Sequence, residues 1–321
     1  MTGSAPRTIA SLLPSSTEIL FALGLGERVV GVSHECDWPP EASQLPTLTE
    51  TKIDADRPSG EIDRAIGDLA ARGESVYRVR TDLLARLKPD LIITQDQCDV
   101  CAVTTLDVRE AVDEVKRVDP AYDPGVLALT PSTLAEVLND IRRVAEAAGE
   151  AAKGDRLLGE LEARIDAIVS LTGEGVATRP RVTFLDWIDP LILAGDWIPE
   201  MIRAAGGKSQ DAKDAKAARV SWDAVIDFSP EVLIVAPCGI RLERAMEETR
   251  SLAKLPNWLD LPAVKHGHVY AADGNALFNR PSHRIVDSLE VLAEIIHPNL
   301  FRGTVSDPEK LYRRLDQNSG G

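Results

Sequence analysis

The chain has 321 residues, 44% of them hydrophobic and only 4% aromatic, with a formal net charge of −15. That length corresponds to about two domains of ~150 residues. The acidic balance argues against nucleic-acid binding, which needs basic surface to displace counterions, and against docking on an anionic membrane surface. No apolar run reaches the ~18–20 residues of a membrane span.

The N-terminal stretch MTGSAPRTIASLLPSSTEILFALG is interrupted by Pro14, Ser15, Ser16, Thr17 and Glu18, so it lacks the clean apolar core of a signal peptide. As written the chain reads as cytoplasmic, or as periplasmic or extracytoplasmic if a signal was removed. Four cysteines in a chain of this length do not make a disulfide scaffold.

The first half alternates strands and helices. Residues 8–13 read as a strand, and Ser15 with Glu18 three residues on gives a capping-box pattern for a helix that stops at Gly24. VVGVS is the second strand, and Pro39-Pro40 bars regular structure in the loop after it. Helices are expected at 61–72, 82–87 and 105–116, with strands at 90–94 and 125–129. This order predicts a parallel sheet covered on both faces.

Pro131 opens a different pattern. Thr133 and Glu136 form a second capping box, and apolar residues then recur at helical spacing from Leu134 to Val169. If continuous to Leu171 this is a single helix of about 39 residues, roughly 58 Å long. Gly149 and Gly154 offer the alternative of two helices with a joint between them.

A second α/β series follows, with strands at 181–185, 231–236 and 268–271 and helices at 198–205, 222–228, 241–252 and 282–296. The expected fold class is α/β: two Rossmann-like lobes with parallel sheets joined by one long α-helix. The expected divisions are 1–130, 131–172 for the helix, 173–300, and a charged tail at 301–321, frayed or packing only.

The four cysteines fall just past predicted strand ends: Cys36 after VVGVS, Cys98 and Cys101 after DLIIT, Cys238 after EVLIVA. Ligands of open α/β sheets bind outside those ends. Cys98-Asp99-Val100-Cys101 is a CxxC, and with Cys36 and His34 it makes a candidate Zn-type set. Plain packing, ligand contact and thiol chemistry are the other readings of these sulfurs. There is no Walker loop, GxSxG or HExxH, and no nucleophile–base pair is visible, so no enzymatic activity is expected.

IASLLPSSTEILFALGLGERVVGVSHECDWPP resembles the opening of the cobalamin-type periplasmic binding proteins, the substrate-binding components of B12 and siderophore ABC importers. The resemblance continues in LKPDLIITQDQCDVC, VSWDAVIDFSPEVLIV and VYAADGNALFNRPSHRIVDSLEVLAEIIHP. It implies two lobes joined by a stiff helix, with a corrinoid such as cobalamin, or another metal chelate, in the cleft between them.

A corrinoid is a flat, largely apolar disc edged with amides, so it calls for aromatic walls and a few polar groups. Trp38, Trp187, Trp197 and Phe278 are the candidate walls. Gln95, Asp96, Asp186 and Arg280 are the polar candidates, and Cys238 is a candidate contact to a metal centre. Trp222 and Trp258 read as core. The resemblance also implies an ABC permease partner, docked through one acid per lobe: Asp223, and Asp99 as the nearest acid in the first lobe. The alternative function is an intracellular metal-binding or thiol-redox protein using Cys36, Cys98, Cys101 and His34.

Overall fold

The computed structural model describes residues 5–96, 102–174, 176–212, 214 and 216–315. It divides into two compact units, residues 1–160 and 161–321.

The first unit runs β1 (Ile9–Ser11), α1 (Pro14–Ala22), β2 (Val29–Val32), β3 (Thr49–Thr51), α2 (Ser59–Ala71), β4 (Tyr77–Val79), α3 (Thr81–Leu87), β5 (Leu91–Gln95), α4 (Thr105–Val118), β6 (Gly125–Leu129) and α5 (Leu134–Ala147). Four strands form a parallel sheet in the order β2-β1-β5-β6. β1 and β5 are central, so the chain leaves β1 toward one edge and later returns to its other side. That reversal creates a switch point at the carboxyl ends of β1 and β5.

β5 is buried along its whole length, as expected of an apolar strand covered on both faces. Ile92 and Ile93 are wholly buried, each contributing about 2 kcal/mol of transfer free energy. On one face Ile92 meets a core that includes Leu12, Leu48, Val108 and Val112, and Ile93 points to the other. β3 and β4, joined through α2, form a separate two-stranded antiparallel ladder.

The helix that links the halves departs from the continuous expectation. α5 ends at Ala147, and a second helix, α6 (Ala151–Glu174), runs for 24 residues across the boundary between the units. The joint is at Gly149, whose φ of +76° lies in the left-handed region that glycine adopts without strain. The Gly149 N–H donates to the Glu146 carbonyl and the Glu150 N–H to the Ala145 carbonyl. This Schellman pair closes α5, so the apolar period continues in sequence while the backbone does not.

The second capping box forms as expected, the Thr133 hydroxyl accepting from the Glu136 N–H and the Glu136 carboxylate from the Thr133 N–H. The first does not: α1 starts at Pro14 with Leu13 as its cap, so Ser15 lies inside the first turn.

The second unit contains β7 (Arg181–Trp187), β8 (Ile192–Leu193), α7 (Ile198–Ala204), β9 (Lys208–Ser209), β10 (Ala218–Arg219), α8 (Trp222–Phe228), β11 (Val232–Val235), α9 (Leu242–Ser251), α10 (Pro262–Lys265), β12 (Val269–Ala272), α11 (Ile285–Ile296), α12 (Pro298–Phe301), α13 (Pro308–Leu311) and β13 (Tyr312–Arg314). Its sheet is mixed rather than wholly parallel. β7, β11 and β12 are parallel, while β8, β10 and β13 pair antiparallel at the flanks.

The tail expected to fray or merely pack supplies β13, paired with β12 and brought near it by Tyr312 against Tyr270. Trp222 and Trp258 are core as expected, stacked at 6.0 Å, with the Trp222 indole N–H donating to the Pro256 carbonyl. Within this unit Arg164 of α6 grips Glu290 through two hydrogen bonds and Asp287 through a third.

Candidate functional site

In the first unit, the carboxyl edge of the sheet carries a buried hydroxyl network. Ser11 ends β1, and its Oγ lies 2.5 Å from Ser16 Oγ at the start of α1. The Thr17 hydroxyl donates to Ser11 Oγ at 2.8 Å and lies 3.1 Å from Cys36 Sγ. Cys36 does follow β2, but its thiol is buried against this network.

His34 belongs to a second network. Its backbone N–H donates to Thr49 Oγ1, which also lies 2.7 Å from its Nδ1, and its Nε2 is 3.3 Å from Glu35. Among the described residues no group of three or more His, Cys, Asp or Glu side chains forms a metal cluster. Of the expected Zn-type set, Cys36 and His34 take part in separate hydrogen-bond networks, and Cys98 and Cys101, like Asp99, lie outside the described residues.

Gln95 and Asp96, expected at a ligand, shape the entry to α4. The Gln95 amide donates to the Ala102 carbonyl, and Asp96 accepts from the Thr105 N–H at 2.8 Å. Thr104 and Asp107 add a capping box to the same helix end. Trp38, by contrast, is 37% exposed in the loop after β2.

In the second unit, β7, β11 and β12 end side by side. Asp186 and Trp187 close β7, and the Cys238 N–H in the loop after β11 donates to the Asp186 carbonyl at 3.1 Å. Cys238 itself is exposed. The loops after β11 and β12 are stapled together, the Gly239 N–H donating to the Gly274 carbonyl and the Gly274 N–H to the Ile240 carbonyl. A Cβ at Gly274 would lie 2.0 Å from the Pro237 oxygen, so only glycine permits this approach.

The turn after β12 is held by side chains. Asp273 accepts from the Asn275 and Ala276 N–H groups, and the Asn279 amide donates to the Ala236 and Gly274 carbonyls. Arg280 is buried and donates to Asn275 Oδ1 at 2.8 Å.

The aromatic expectations divide. Trp187 is partly exposed, with its indole N–H on the Asp189 carbonyl. Trp197 and Phe278 are buried. The Trp197 indole N–H donates to the Phe278 carbonyl at 2.7 Å, and Phe278, at a left-handed φ of +61°, stands edge-on to Phe184. Asp223 is exposed in the first turn of α8.

One feature of the electrostatics stands apart. Asp186 Oδ1 is closed off from solvent and accepts no hydrogen bond. Burial, then the negative charge of Asp196, push this carboxyl up to about 7. Asp196 follows β8 at a left-handed φ of +52° and was not singled out from the sequence; Gly195-Asp196 is a turn signal but carries no hint of its partner. Ser16, Thr17, Thr49, Asn275 and Asn279 were missed for the same reason, since their roles depend on contacts made after folding. Near the start of α11, burial pushes the His283 imidazole down to about 4.

Two α/β units with polar and aromatic residues gathered at their strand ends define a ligand-binding protein of the α/β class. The chain belongs to the periplasmic binding protein family, whose pattern matches residues 9–276, and it is a substrate-binding protein of the kind that serves ABC importers. It is 25% identical to YvrC of Bacillus subtilis, described as an uncharacterized ABC transporter substrate-binding lipoprotein, over 92% of this chain and 82% of that protein. It is 23% identical to the vitamin B12-binding protein of Vibrio parahaemolyticus over 89% of this chain and 88% of that one. Among solved structures, the periplasmic heme-binding protein RhuT of Roseiflexus sp. RS-1 superposes with a TM-score of 0.66 at 27% identity, covering 91% of this chain and 98% of that one.

Proposed function

We propose that this protein binds a corrinoid of the cobalamin type and delivers it to an ABC permease, acting by binding rather than catalysis. The observation that carries the proposal is the strand-end face of the second unit. There a partly exposed indole, Trp187, an exposed thiol, Cys238, and a carboxyl, Asp186, occupy the adjoining ends of β7 and β11. These match the three features of a corrinoid: an apolar disc, a thiophilic metal centre and an edge of amides. Exposed Trp38 is the aromatic candidate of the first unit, and Trp197 and Phe278 hold the second unit's face in shape. Arg280 acts through Asn275, and Gln95 and Asp96 act by placing the loop before α4.

Docking to the permease uses the exposed carboxylate of Asp223, with Asp99 as the first-unit candidate. The relatives are named as a lipoprotein and as periplasmic proteins, which lends no support to a cytoplasmic location. We place the work of this protein outside the cytoplasm.

The test is a titration of reduced protein with aquocobalamin and cyanocobalamin, following corrinoid absorbance and tryptophan fluorescence. Saturable quenching at micromolar or tighter affinity is expected. An aquocobalamin band shift that disappears in Cys238→Ser assigns the thiol to the metal. No response to either corrinoid refutes the proposal.

A further inference from the structure

We infer that Asp186 makes the strand-end face of the second unit selective for macrocycles edged with uncharged carboxamides over those edged with carboxylates. This rests on the function proposed above and names the ligand chemistry that the same face prefers. Asp186 ends β7 with one oxygen shut off from water and from every donor, while the side chain as a whole remains partly exposed. An acceptor without a donor is a cost that a ligand N–H removes. Rotation about the terminal torsion of an aspartate is broad and two-fold, so the inner oxygen is brought outward without a backbone change.

A ligand carboxylate brings no donor, and it meets the charge of Asp196 as well. Asp196, from the turn after β8, acts on the Asp186 carboxyl through its charge, and the Cys238 N–H, from the loop after β11, donates to the Asp186 main-chain carbonyl. Among the described residues no cation contributes to the field at this carboxyl. Arg280, the cation that the sequence offered to an anionic ligand group, is buried and donates to Asn275. The carboxyl's rise toward neutrality agrees with the geometry, because it leaves a proton there to donate to an amide carbonyl.

The experiment uses two pairs of probes that differ only at the edge: dicyanocobyrinic acid heptaamide against dicyanocobyrinic acid, and the diamide of haemin against haemin. Equilibrium affinities are measured for wild type and Asp186→Asn. In wild type the amide-edged member of a pair binds at least about tenfold tighter, about 1.4 kcal/mol. Asp186→Asn, which supplies a permanent N–H donor and no charge, narrows that ratio to about threefold or less by strengthening the carboxylate-edged ligand. Equal affinity for both members in wild type, or a ratio unchanged by Asp186→Asn, overturns the inference. Binding of the haemin pair with the expected preference, but of neither corrinoid, upholds it while refuting the corrinoid function. Failure to bind any of the four overturns both.

Discussion

Replacing Asp186 with Asn is expected to stabilise the protein above neutral pH and to change little near pH 4. Burial and the charge of Asp196 raise the carboxyl from its ordinary 3.8 to about 7. In the unfolded chain the same group ionises near ~3.9. Below that pH it is protonated in both states and adds nothing. Between about 4 and 7 the unfolded chain releases the proton and the folded chain retains it, so stability falls as the pH rises. Above 7 the full cost is present. At ~1.4 kcal/mol for each decade of pH the interval is worth roughly 4 kcal/mol as a ceiling. Water at the exposed part of the side chain reduces the expected gain to about 1–3 kcal/mol.

Asparagine keeps the shape and cannot ionise. Thermal melts of both proteins at pH 4 and pH 8 make the check. At pH 8 the variant should melt several degrees higher, at about 2–4 °C per kcal/mol for units of this size. The two should nearly coincide at pH 4. A shift of equal size at both pH values, or a variant less stable at pH 8, refutes the argument.

His283 tilts the opposite way. Burial holds its imidazole down at about 4, so stability present above pH ~6.5 is lost as the pH falls toward 4. Denaturant midpoints of His283→Gln at pH 5 and pH 7.5 should show the variant gaining on wild type in acid by about 1–3 kcal/mol. Gly274→Ala forces a Cβ against the Pro237 carbonyl and is expected to cost about 3 kcal/mol, read as a lower melting temperature. Thr17→Val removes the hydroxyl that bonds Ser11 and touches Cys36, for an expected loss of about 1–2 kcal/mol in chemical denaturation.

The central strands were legible in the sequence because they are short apolar runs, and burial on both faces demands them; β5 and β11 are the clearest cases. The sequence also disclosed the Thr133 capping box, a local device made by residues three apart. It left a joint at Gly149–Gly154 as the alternative to one long helix, since a glycine inside an amphipathic period is compatible with continuity and only the backbone angle decides. β3, β4 and β13 escaped because three-residue strands carry too short a pattern to detect.

The site divides along the same line. Position past a strand end was legible for Trp38, Trp197 and Cys238, while Asp186 and Trp187, expected beyond the strand, form its last two residues. Whether a side chain points out or in was not legible. Trp197 turns inward to donate to the Phe278 main-chain carbonyl across 81 residues of chain, and the Phe278 ring packs edge-on against Phe184. The pairing of Asp186 with Asp196 depends on the β7–β8 turn bringing their charges together, which no spacing rule announces.

The measurement closest to the central claim is calorimetric titration of the purified protein with cyanocobalamin, with haemin titrated separately under the same conditions. The account predicts one cyanocobalamin per chain at micromolar affinity or better, with haemin at least tenfold weaker. Stoichiometric haemin binding without detectable cyanocobalamin binding contradicts it.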